Sequence, residues 1–152
     1  MDFINKIFEF DLATMVPDMA QVLDKVRLAV TAAVLLGPAF LLILGLIYFF
    51  IPPKEANHRL GFRTYFGMGS VEAWQFTQKA AGIAFGSLGL ILLIVTLVII
   101  SGFDTLDHFQ MTSKAMSCML WQAGLALLLR LAVVVLVTVR YNKNGDRRKS
   151  NE

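Results

Sequence analysis

Arg59 and Arg63 stand on either side of Gly61, in the stretch of this chain richest in groups that can do chemistry. A guanidinium offers a planar fork of donors suited to phosphate or carboxylate. A glycine between them lets the backbone turn tightly or come close to another group. Thr64 adds a hydroxyl that can donate or hold a turn. Glu72 adds an acid, and Trp74 a ring with a polar N–H of the kind found at membrane interfaces. One more cation, Arg130, lies far along the chain inside a long apolar run. An ionisable residue there is costly to bury and marks a functional position by default. Metal chemistry is poorly supplied: Asp107 and His108, near Asp104, are adjacent and would point apart on a helix. No nucleophile–base pair, metal-ligand cluster or paired membrane carboxylate is evident, and His58 and His108 are expected on opposite sides of the membrane. The expectation is a non-enzymatic protein with no metal and no cofactor.

Three apolar runs must position these residues, at 28–51, 80–101 and 115–139. Each is long enough for a helix to cross ~30 Å of hydrocarbon, which takes ~20 residues. The chain has 152 residues, 57% of them hydrophobic. That is richer and more blocked than a soluble domain, and the remainder is too short for a second one. The predicted fold class is all-α: a single integral membrane helical bundle with three transmembrane helices. An amphipathic interfacial helix is expected before them, over 1–16, because Phe3, Ile4, Ile7, Phe8, Leu12, Met15 and Val16 recur at helical spacing.

The first long helix is expected from Asp18 to Ile51, kinked at Pro38 and ended by Pro52 and Pro53. Ser70 suits the N-cap of the next helix, with Glu72 in its first turn. Trp74 is then expected at headgroup depth. Gly82 and Gly86 form a small-x-x-x-small pair that permits close helix approach. Cys118, the single cysteine, is expected to pack as a small apolar residue.

Basic residues set the orientation. The segment through Arg27 has three, the loop over 54–79 has four, the loop before the third span has Lys114, and the tail over 140–152 has five. With three spans, the 54–79 loop and the tail share a side. That side is expected to be cytoplasmic, with the N-terminus outside. The tail's basic cluster suits anionic lipid headgroups, and nothing has the breadth of a nucleic-acid surface. Arg130 lies about 15 Å along its helix from Arg140, near the membrane midplane. No span offers it an Asp or Glu. Its expected partners are carbonyls near Pro38, the hydroxyls of Tyr48, Ser87 or Thr96, water, a lipid phosphate or a ligand's anion.

The stretch over 52–82 resembles the signature of the SdpI family, small bacterial membrane proteins typified by an immunity protein against a secreted toxin. The family pattern runs approximately N-x-x-x-G-x-R-T, then an acidic residue, a tryptophan about ten positions past the threonine, and a glycine. Asn57, Gly61, Arg63, Thr64, Glu72, Trp74 and Gly82 supply it here. Tyr65 stands where the family often has proline. Gln78 and Lys79 stand where histidine or arginine often precedes the glycine. The resemblance implies a bacterial inner-membrane protein. Family members confer toxin resistance, and some also hold a transcription repressor at the membrane.

Two function classes follow. The first is a non-enzymatic SdpI-type protein for toxin immunity or membrane signalling. Its partners would be membrane lipids and a toxin, a repressor or further copies of itself, and not nucleic acid. The alternative is an oligomeric transport or lipid-handling component in which Arg59, Arg63 and Arg130 form an anion or phosphate site.

Overall fold

Three long helices make up most of the structure, a computed structural model that describes residues 19–56, 61–103 and 107–148. They are α1 (Met19–Phe50), α2 (Val71–Ser101) and α3 (His108–Arg140). All three are long and apolar enough to cross a membrane. The expected 1–16 helix, Asn57, His58, Arg59, Asp104 and Lys149 lie outside the described residues. Among the described residues there is no strand, only an isolated bridge between Tyr141 and Arg147.

Local chemistry explains the ends. The proline pair that follows Phe50 closes α1, since a residue before proline is pushed out of the helical region. Ser70 takes an extended conformation and its Oγ accepts from the Ala73 N–H at 3.1 Å, capping α2. Gly102 ends α2 with its N–H donating to the Ile99 carbonyl. The Asp107 carbonyl accepts the first bond of α3, from Met111. Inside α1, Pro38 cannot donate to the Val34 carbonyl, yet it is fully buried and the helix runs on through it.

Packing is closest between α1 and α2, and glycine makes it so. A Cβ on Gly45 would fall 2.2 Å from the Gly86 nitrogen. One on Gly82 would fall 2.7 Å from the Phe49 nitrogen, and one on Gly89 would fall 2.4 Å from the Leu42 nitrogen. The two backbones approach closely along about two turns, as the glycine spacing implied.

α3 closes the bundle through apolar clusters, one of which joins Val137 to Ala73 and Tyr141. Val34, Phe103, Met111 and Ala115 pack at one end, with Cys118 against them. Phe62, Ala81, Phe85 and Val133 pack towards the other. Between them Gln122, buried, donates to the Thr96 hydroxyl at 2.9 Å and lies against Gly37. Large apolar side chains such as Leu36, Phe40, Ile91, Val98, Leu128 and Leu131 face outward. Such a coat is stable in hydrocarbon and would be an aggregation liability in water.

Candidate functional site

Between α1 and α2, residues 61–63 run beside the first turns of α2 at the end of the bundle. Non-helical backbone among apolar spans must have its polar groups satisfied by the protein or line a cavity. Gln78 meets that need. Its Oε1 accepts from the Phe62 N–H at 2.8 Å, and its Nε2 donates to the Phe62 carbonyl at 2.9 Å. One buried side-chain amide thus satisfies both backbone groups of Phe62, as a neighbouring strand would. The Phe62 ring is then held against Tyr48 and Phe85.

Gly61 makes this path possible. Its φ is +110°, a region that residues with a Cβ rarely adopt. A Cβ there would also fall 2.7 Å from Trp74 Cζ2. Trp74 packs beneath this path. It is fully buried, and its indole N–H donates to the Pro53 carbonyl at 2.8 Å. The ring is the floor on which Gly61 rests. The folded-in loop supplies the ring with both an apolar contact and an acceptor for its N–H.

Thr64 holds the next turn. Its buried Oγ accepts from the Gly67 N–H at 2.9 Å, and its carbonyl accepts from the Met68 N–H. Thr77, also buried, turns its hydroxyl back to the Ala73 carbonyl. A Cβ on Gly67 would clash with both threonine hydroxyls.

The tail returns to cover this turn. Ser70 Oγ donates to the Gly145 carbonyl at 2.8 Å, and Gly69 and Gly145 pack backbone to backbone. Gly145 has φ +78° and sits in a tight turn in which Asn142 Oδ1 accepts from the N–H groups of Asn144 and Asp146. The Arg140 guanidinium lies over the Phe76 ring, 4.3 Å from its centroid. Glu72 pairs with Arg147 at 2.6 Å, well exposed to solvent. Such a pair is screened by solvent and contributes little; Tyr141 and then Glu72 push the Arg147 pKa further above its already high range. The glycine packing and the buried Tyr141, stacked on Phe76, do more to hold the tail.

The structure therefore brings Gly61, Thr64 and Trp74 into one braced unit, with Glu72 on its rim. Gly82 stands apart, at the α1–α2 seam. Arg63 is exposed and turns to a cavity of about 310 Å³ lined by Leu44, Tyr48, Gly61, Phe62, Phe85 and Arg130. Arg130 is thus placed beside the folded-in loop and the Tyr48 ring. Ser87 bonds instead to the Ala84 carbonyl, and Thr96 is taken by Gln122.

Sequence reasoning missed Gln78 and Gln122 as structural residues. An uncharged amide within an apolar run was the available signal for both, because such a group needs a partner in hydrocarbon.

These features define a small helical membrane protein with a structured loop locked into one end of its bundle by its own tail. The chain belongs to the SdpI/YfhL protein family, which its residues 54–142 match. No curated protein and no solved structure matched the chain.

Proposed function

We propose that this chain is a non-enzymatic bacterial inner-membrane protein that confers immunity to a secreted toxin or passes a membrane signal, with the braced loop and tail as the surface that meets the partner. The observation that carries this reading is the joint use of the family's residues. Gly61, Thr64 and Trp74 shape the loop, while Arg63, two residues from the glycine, is left exposed. A loop built only to connect two helices has no need of a buried tryptophan, an amide clamp and a tail laid over it.

Expression in cells sensitive to the family's toxin is expected to protect them. Arg63→Ala is expected to weaken protection by about tenfold, the scale of one charge-assisted contact, at an unchanged amount of membrane-inserted protein. Equal protection by the variant would remove Arg63 from the mechanism, and no protection by the parent would leave only the signalling role.

We read the loop and tail as cytoplasmic, because together they hold nine basic residues against four on the opposite side. A fluorescent protein fused after a flexible linker at the C-terminus is expected to mature and glow, and alkaline phosphatase at the same place to stay inactive. The reverse pattern would invert the orientation.

A further inference from the structure

We infer that the cavity between the folded-in loop and α3 is a binding site for a phosphate group, gripped by Arg63 and Arg130 with the Tyr48 hydroxyl as a third donor. Two guanidinium groups, 67 positions apart in the chain, line one cavity, and no carboxylate joins them in its lining. Among the described residues neither arginine makes a hydrogen bond or an ion pair. Like charges that share a partly apolar space repel, and an anion between them removes the repulsion and supplies acceptors for both forks. The remaining walls are Leu44, Phe62 and Phe85, with the Gly61 backbone at the rim. A lining that combines polar donors with apolar side chains suits a phosphate carried on an apolar body. The volume of about 310 Å³ accepts a headgroup phosphate with its glycerol and the start of a chain.

The placement also accounts for a cation deep in α3. Arg130 does not stand alone on an apolar helix, because the loop brings Arg63 and polar backbone to the same cavity. Arginine is the residue suited to this task, since its charge persists in apolar surroundings and its fork matches two phosphate oxygens. The inference is independent of the immunity reading: protection of cells tests that one, and binding by purified protein tests this one.

The full chain, purified in an uncharged detergent, is titrated calorimetrically with dihexanoyl phosphatidic acid, inorganic phosphate and dihexanoyl glycerol. Phosphatidic acid is expected to bind saturably and dihexanoyl glycerol not to bind. Arg63→Gln and Arg130→Gln are each expected to weaken phosphatidic acid binding by about tenfold or more. Arg148→Gln, outside the cavity, is expected to leave it unchanged. Inorganic phosphate competing at equal concentration would support the site and assign it to free phosphate; competition only at large excess would support it as a lipid headgroup site. Helical circular dichroism and a single elution peak verify that each variant is folded. Should Arg130→Gln fail that check, the exposed Arg63→Gln and Tyr48→Phe carry the test. Parent-like binding by the folded cavity variants, equal binding of dihexanoyl glycerol, or an equal loss in Arg148→Gln would overturn the proposal.

Discussion

Gln78→Leu is expected to release residues 61–63 from α2 while the three helices stay assembled. The leucine fills a similar volume but leaves the Phe62 N–H and carbonyl without partners in a buried place. Each buried orphan costs about 1–3 kcal/mol, so the pair costs about 2–6 kcal/mol. The loop can avoid that cost only by moving out to water, which withdraws the Phe62 ring from Phe85 and uncovers Trp74. Amide hydrogen exchange over 61–67 reads this directly, with protection expected to fall by about thirtyfold or more, at 1.4 kcal/mol per tenfold. Gln78→Glu separates the two bonds. Its carboxylate still accepts from the Phe62 N–H but turns an oxygen on the Phe62 carbonyl. Unchanged exchange in both variants would mean that the amide clamp does not hold the loop.

The second large effect is expected from the smallest substitution. Gly61→Ala adds one methyl group, yet it meets two obstacles. The φ of +110° is strained for any residue with a Cβ, costing about 1–3 kcal/mol. The added carbon also falls within 3.0 Å of the Trp74 ring and Gln78 Oε1, and overpacking of this kind costs about 1–3 kcal/mol more. Trp74 cannot retreat without losing its bond to the Pro53 carbonyl. With Trp121 replaced by phenylalanine, Trp74 is the sole tryptophan. Its emission is expected to shift to the red and its quenching by acrylamide to rise in Gly61→Ala. Gly124→Ala is the control, because nothing lies within 4 Å of the added carbon. If both variants kept the parent's emission, the close approach of Gly61 to the ring would not matter.

Much of the scaffold was legible because membrane helices obey strong local rules. The length of the apolar runs, the Ser70 cap and the Gly82–Gly86 spacing each follow from a few neighbouring residues. The site was less legible because it depends on what comes together from far apart. Arg63 and Arg130 are both conspicuous in the sequence, yet nothing in their spacing says that they share a cavity. Tyr48 was named only as one hydroxyl among several. Trp74 was read from the general preference of its ring for interfaces, which carries no sign of its burial under Gly61. Gln78 stood out only as a departure from the family pattern, whereas its amide is what fastens the loop. The way residues 61–63 lie against α2 depends on backbone satisfaction that a linear reading does not display.

The clasp between the α2 cap and the tail has a bearing on how the protein is made. Ser70 waits for Gly145, a residue synthesised 75 positions later. By then α3 must have left the translocation machinery and settled beside α1 and α2, or the tail cannot reach the loop. Locking of the loop is therefore coupled to completed insertion of the third span. A nascent chain halted before that point carries the whole 57–82 motif and still lacks the clasp that closes over it.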